Sequence, residues 1–125
     1  MDLSTQTANE LSWYLDLATR QLQLTSANMA NIDTPGYRSL GMDFEAEMRS
    51  AIDGTEAVAG GGTGIHSAPQ IRLVDGLIVR PDGNNVSMDR ESLQLAEAQL
   101  KFKTGVALLK REFTRILDAI HADAR

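Results

Sequence analysis

Hydrophobic side chains recur with helical spacing near both ends of the 125-residue chain. In residues 7–32 they are separated alternately by four and three positions, which places them along one side of a helix. This pattern predicts a long N-terminal helix with a packing seam. The seam comprises Leu11, Leu15, Ala18, Leu22, Thr25, Met29 and Ile32.

A second amphipathic segment, residues 88–122, has the same period and predicts a long C-terminal helix. Either Ser87 or Asp89 can serve as its N-cap. Two seams of matching period predict that the terminal helices pair in an antiparallel or crossed arrangement, with neighbouring copies completing the burial. The second seam comprises Phe102, Val106, Leu109, Phe113, Ile116 and Ile120.

Between the two helices the pattern breaks up. Residues 43–52 predict a short amphipathic helix, and residues 53–69 are rich in glycine, which is typical of a flexible loop. Residues 71–74 and 77–80 flank Asp75-Gly76 and predict a small β-hairpin. The expected fold is mainly α, a coiled-coil-like bundle divided into residues 1–40, 41–86 and 87–125.

The first helix runs into a stretch that must end it. Pro35 lacks an amide hydrogen and disfavours helical backbone at Thr34, so the helix stops by about residue 33. Pro35 and Gly36 suit the central positions of a type II turn that ends at Tyr37. Asn28 is unfavourable inside a helix, as is the asparagine three residues later, and near a helix end such amides can bind backbone groups.

Composition narrows the classes of function. The chain has no cysteine, which excludes disulfides and thiol nucleophiles, and its net charge of −5 argues weakly against nucleic-acid binding. Residues 1–60 carry nine acidic and three basic residues, whereas residues 61–125 carry eight and nine, so the two ends can attract each other or other copies. Neither a membrane span nor a cleavable secretory signal is recognisable, which leaves export without a cleaved signal open.

Candidate chemistry is sparse. The glycines at 60–64 lack the Lys-Ser/Thr of a P-loop, and the two histidines, His66 and His121, have no metal-binding spacing. Asp43, Glu45 and Glu47 form an acidic cluster, but no apolar pocket is visible that would tune a general acid. A hydrolase using this cluster and His66 is the weakest hypothesis. We predict no enzymatic activity, cofactor or small-molecule substrate.

The stretch around the turn resembles a known signature. Its pattern, A-N-x-x-N-x-x-T-P-G-Y, is similar to the N-terminal motif of the bacterial flagellar basal-body rod protein family. The stretches "GMDFEAEM" and "DGNNVSMDRESLQLAEAQ" add to the resemblance, which covers about 75 of the 125 residues at both ends. The residues that carry the motif are Ala27, Asn28, Asn31, Thr34, Pro35, Gly36 and Tyr37.

The resemblance implies a structural subunit of the proximal rod, which polymerises into a helical tube that surrounds the export channel and transmits torque. It implies export by the flagellar type III apparatus to the periplasmic side of the inner membrane. Implied partners are other copies, other rod proteins, the membrane-ring protein and the FliE adaptor, with no nucleic acid. The alternative is a stand-alone helical coiled-coil adaptor that binds a partner helix.

Overall fold

The computed structural model describes residues 5–57 and 67–124. Three helices and two short strands follow one another along the chain. The helices are α1, Gln6–Ala30, α2, Phe44–Ala57, and α3, Met88–Asp123; the strands are β1, Leu40–Gly41, and β2, Arg72–Leu73. The mainly helical fold with long terminal helices is therefore confirmed, and Ser87 is the N-cap of α3.

The terminal helices pack antiparallel. The amide of Asn28, near the end of α1, donates to Glu91 near the start of α3, at 3.2 Å between nitrogen and oxygen. At the other end, the Thr5 hydroxyl donates to Glu112 at 3.0 Å, while the same oxygen caps α1 by accepting the Ala8 amide. One side chain thus begins α1 and ties it to α3.

Small and polar residues bring the two helices together. Four buried residues of α3 recur every seven positions and define its innermost line: Glu91, Ala98, Gly105 and Glu112. A Cβ atom on Gly105 would lie 2.7 Å from Leu15 Cδ2 and 2.9 Å from Tyr14 Cδ1, closer than real Cβ contacts. A side chain at this position would have to displace Leu15 and Tyr14, so the glycine permits the close helix approach, although it weakens the helix by about 1 kcal/mol relative to alanine.

The buried apolar core is small and lies where α2 meets α1. Leu17, Ala18 and Phe44 form it. The Phe44 ring packs edge-on against Tyr14, with ring centroids 5.2 Å apart, and the Lys101 ammonium lies 4.1 Å from the Phe44 ring centroid. These contacts tie the middle segment to both terminal helices.

The small sheet differs from the predicted hairpin. β2 pairs antiparallel with β1, with Leu40 opposite Leu73, whereas residues 77–80 form no strand. The reason is that the turn after α1 delivers residues 39–41 to the side of β2, while a bond from the Arg80 amide to the Asn84 carbonyl, at 2.9 Å, draws residue 80 elsewhere.

The predicted flexible loop at 53–69 is also corrected in part, because its first five residues extend α2 to Ala57. Residues 58–66, with the glycines at 60–64 and His66, lie outside the described residues. Among the helices that the structure describes, none is long and apolar enough to cross a membrane.

Candidate assembly site

The predicted motif folds into a turn held by buried asparagines. Asn28, 1% exposed, uses its whole side-chain amide. Its oxygen accepts from the Leu40 amide and the Tyr37 hydroxyl, both at 3.0 Å. Its nitrogen donates to the Leu40 carbonyl at 2.8 Å and to Glu91 at 3.2 Å. A primary amide has two donor hydrogens and two acceptor sites, so Asn28 is fully satisfied and bonds β1 as a neighbouring strand would.

The end of α1 and the turn are bonded locally as well. Asn31 is the C-cap, and its side-chain nitrogen donates to the Ala27 carbonyl at 2.8 Å. The Thr34 hydroxyl donates to the Asn31 side-chain oxygen at 3.0 Å. The amide of Tyr37 donates to the Thr34 carbonyl at 3.2 Å, and Gly36 has φ +75°, as the predicted type II turn requires.

A second loop, residues 80–86, closes over this turn. Asn84 is fully buried, and its side-chain nitrogen lies 2.9–3.0 Å from the carbonyl oxygens of residues 31, 32 and 34. Its side-chain oxygen accepts the Val86 amide at 2.8 Å. Asn84 thereby serves carbonyl groups that the end of α1 leaves without helical partners.

The neighbours of Asn84 complete the closure. The Asn85 side-chain oxygen accepts the Ser39 amide at 2.6 Å, and the Gly36 amide donates to the Asp82 carbonyl at 2.8 Å. The Arg80 guanidinium donates to the Ile32 carbonyl. We call residues 28–41 together with residues 80–86 and Glu91 the asparagine clamp.

Electrostatics favour the neutral form of the tyrosine in this clamp. The Glu91 carboxylate is buried and pairs with the Arg90 guanidinium at 2.7 Å. Burial raises the pKa of Tyr37, and the negative charge of Glu91 raises it further. The phenol therefore keeps its proton to a higher pH than an exposed tyrosine does and remains a donor to Asn28.

The structure brings the seven motif residues together but exposes them unequally. Asn28 is buried, Asn31 and Tyr37 are half-buried, and the other four are exposed. The Thr34–Gly36 face of the turn is therefore available to a partner. Sequence reasoning included Asn84 and Asn85 only in a stretch that adds to the resemblance and assigned them no role, although two adjacent asparagines shortly before a helix were a visible signal.

The predicted seam of α3 lies beside the innermost line of that helix, whereas the predicted seam of α1 contains two of its buried residues, Ala18 and Thr25. On α3 the buried positions precede the seam residues Val106 and Phe113 by one residue. Several apolar side chains consequently stay accessible, including Phe113 at 51% and Ile120 at 41% exposure. Most other seam residues of the two helices are half-buried: Leu11, Leu15, Leu22, Met29, Val106, Leu109 and Ile116. Phe102 is 38% exposed.

The acidic cluster has structural contacts. Asp43 accepts the Ala46 amide at 3.0 Å at the start of α2, and Glu47 accepts the Gln70 amide at 2.9 Å. Among the residues with described positions, no group of three or more histidines and carboxylates could hold a metal ion.

Two long paired helices joined through a backbone-bonding clamp define a helical structural subunit. Comparison with known proteins identifies the family. The chain is 31% identical to the flagellar basal body rod protein FlgB of Salmonella typhimurium, over 85% of this chain and 86% of that protein. It is 36% identical to the FlgB of Cereibacter sphaeroides, over 84% and 85%, and 28% identical to that of Escherichia coli, over 86% and 88%. No family model matches the chain. The chain belongs to the FlgB family of flagellar basal-body rod proteins.

Proposed function

We propose that this chain is a structural, non-enzymatic subunit of the proximal rod of the bacterial flagellum. Copies join into a helical tube that surrounds the export channel and transmits torque. The observation that carries the proposal is the asparagine clamp in a chain of the FlgB family. It turns the family-like motif into a rigid corner between α1 and the middle segment.

The chemistry of the clamp supports a mechanical role. The buried asparagine side chains of the clamp bond to backbone groups, to Tyr37 and to Glu91, and Asn28 has no unused donor or acceptor. Bonds of this kind fix backbone geometry, whereas a catalytic group needs unsatisfied polar atoms directed at a substrate. The Ser39 hydroxyl is buried without a hydrogen-bond partner among the described residues, and its burial keeps it away from any substrate. A fixed corner suits a subunit that transmits force.

The exposed apolar side chains support assembly. The described part of α1 begins beside Glu112, and α3 continues to Asp123. In that extension Phe113, Leu117 and Ile120 are 51%, 54% and 41% exposed. Covering a large apolar side chain fully stabilises by about 1.5–3 kcal/mol, so partners that cover this end gain several kcal/mol.

The proposal includes the partners and place that the resemblance implies. Within the seven-residue motif, the exposed residues act as an assembly surface toward other copies and other rod proteins, as do the accessible side chains of the two seams, while Asn28, Asn31 and Tyr37 hold the turn in shape. In this proposal the type III export apparatus delivers the chain to the periplasmic side of the inner membrane, where it lies at the proximal end of the rod next to the membrane-ring protein and the FliE adaptor. Membership of the FlgB family disfavours the stand-alone adaptor.

The test is deletion of the gene for this chain in its own bacterium, followed by complementation. We expect loss of swimming and of rods in isolated basal bodies, and recovery with the native chain. Normal swimming after deletion would refute the proposed function. A single oligomer of fixed size at all concentrations would favour the adaptor instead.

The role of the turn is tested in the same strain. Gly36→Val blocks the positive φ of the turn, and we expect it to prevent rod assembly. Gly54→Val is the matched control, because a Cβ at either glycine meets nothing within 4 Å and Gly54 lies in α2 without a positive φ. If Gly36→Val cells build rods like the control, the turn is not an assembly element.

A further inference from the structure

The two edges of the small sheet are treated differently by the fold. The Val74 amide donates to the Ser39 carbonyl at 2.9 Å, and bonded and non-bonded pairs alternate in antiparallel strands. Leu40 and Leu73 are therefore a non-bonded pair, whose backbone groups point away from each other. The backbone amide and carbonyl of Leu40 are hydrogen-bonded to the Asn28 side chain. Those of Leu73 point to the outer edge of β2, beyond which the two-stranded sheet of the described residues has no strand.

This outer edge is accessible to a further strand. Leu73 is 60% exposed and Ile71 is 38% exposed. An open groove of about 430 Å³ lies between the small sheet and α3 and is lined in part by Leu73, Phe44 and Lys101. An edge with unpaired backbone groups is a template for pairing with another chain segment.

The same chain carries a segment suited to this edge. Residues 77–79, Leu-Ile-Val, have the composition of a strand but belong to no sheet. Ile78 is 90% exposed and Val79 is 45% exposed. The sequence pattern predicts that this segment pairs with the residues of β2. In the fold it does not, because β2 pairs with β1 and residues 77–79 form no strand.

The clamp prevents that pairing within one copy. The Arg80 amide donates to the Asn84 carbonyl, the Gly83 amide donates to the Arg80 carbonyl, and the Arg80 side chain bonds the end of α1. A two-residue type I′ turn at Asp75-Gly76 would need positive φ at both residues, and among the described residues only glycines have it. Folding the segment back onto β2 would break these contacts.

We propose that residues 77–79 of one copy pair as a strand with the outer edge of β2 in a second copy. The inference rests on the proposed function, because a polymerising subunit brings second copies into reach. Donor segment and acceptor edge are different surfaces of one chain, so the contact is heterologous and can propagate along an open assembly. Backbone bonds at Leu73 hold the strand, and side chains such as Ile78 and Leu73 cover each other.

The absence of cysteine in the chain allows a clean cross-linking test. Full-length Leu73→Cys and Ile78→Cys chains, one of them tagged to differ in size, are mixed and oxidised. Paired strand residues have Cα atoms about 4.5–5.5 Å apart, within the range of a disulfide. Leu93→Cys is the matched control partner, since Leu93 is 59% exposed and lies on α3. We expect at least tenfold more disulfide-linked heterodimer with Leu73→Cys than with Leu93→Cys.

Three outcomes overturn the proposal. Equal cross-linking with both partners shows random collision, and a dominant Leu73→Cys homodimer shows that β2 edges pair with each other. An intrachain disulfide in the double variant Leu73→Cys/Ile78→Cys, without interchain product, shows a local hairpin. The complementation experiment separates this proposal from the proposed function. If the native chain restores rods but the cross-linking is not selective, the strand pairing is rejected and the proposed function is retained. If the cross-linking is selective but the native chain does not restore rods, the pairing is retained and the proposed function is rejected.

Discussion

Replacing Asn28 tests whether one buried amide holds the clamp together. Asn28→Ala removes four hydrogen bonds and leaves the Leu40 amide and carbonyl without their partner. A buried polar group without a partner costs about 1–3 kcal/mol. Leu40 and Tyr37 are both half-buried, so water can replace part of their lost bonds, whereas the bond to Glu91 is buried. We therefore expect the free energy of unfolding to fall by about 3 kcal/mol.

The assay is urea unfolding of the full chain, followed by circular dichroism at 222 nm. With a denaturant slope of about 2 kcal/mol per molar, the midpoint should fall by about 1.5 M. Asn9→Ala is the control in the same helix, because Asn9 is exposed and alanine is the better helix former. A loss below about 0.5 kcal/mol for Asn28→Ala would show that the amide does not hold the clamp.

Asn28→Asp separates the two donor bonds from the two acceptor bonds. The introduced carboxylate keeps acceptor atoms but faces the Glu91 carboxylate, 3.2 Å from the present nitrogen. The like charge raises the folded-state pKa of the introduced carboxyl above its unfolded value. The destabilisation should therefore be largest at neutral pH and shrink as the pH falls toward about 4. A deficit that does not change with pH would contradict this electrostatic reasoning; Asn9→Asp is the control.

Three further substitutions test the turn, the helix contact and the tyrosine. Gly36→Ala should destabilise the fold by about 1 kcal/mol, because alanine is strained at a backbone φ of +75°. Gly54→Ala should stabilise it, since Gly54 has no positive φ and a Cβ there meets nothing within 4 Å. Urea midpoints that shift in the same direction for both variants would contradict this reasoning. Gly105→Ala should lower the free energy of unfolding by about 1–3 kcal/mol, because the added methyl group clashes with Leu15. In a double-mutant cycle, Leu15→Ala should recover part of this loss. Strictly additive effects of the two substitutions would refute the contact. Tyr37→Phe should lose about 1 kcal/mol at pH 7. Because the folded-state pKa of Tyr37 is raised, the extra free energy of unfolding of the native chain over Tyr37→Phe should decline as the pH rises above about 10. A stability difference between the two chains that stays constant up to about pH 12 would refute that linkage.

Local signals predicted the helices and the turn. Long stretches of one period specify helices whatever they pack against, and Pro35 with Gly36 restricts the backbone without help from distant residues. The burial of Asn28 could not be read from its spacing, because its partners Leu40 and Glu91 lie 12 and 63 positions away. Asn84, whose targets lie about 50 positions earlier in the chain, was missed for the same reason.

The strand error has the same origin. Asp75-Gly76 between two apolar runs favours a hairpin when only neighbouring residues are considered. The real partner of β2 is β1, which lies more than 30 positions earlier and is brought there by the turn after α1. Pairing over that distance depends on the clamp, and no local pattern encodes it.

On α3 the buried positions that face α1 are partly polar, whereas many large apolar side chains are exposed, and this arrangement explains how a small core suits an assembling subunit. The innermost line of α3 contains Glu91 and Glu112, and both carboxylates are bonded to α1. Polar bonds of this kind set register and orientation, because a shifted register leaves buried groups unsatisfied. The large apolar residues of the same helix, Leu100 at 67% and Phe113 at 51% exposure among them, remain accessible beside that line. Within the chain, these hydrogen bonds set the geometry of the helix pair, and exposed apolar surface of α3 remains for the contacts with partners that we propose.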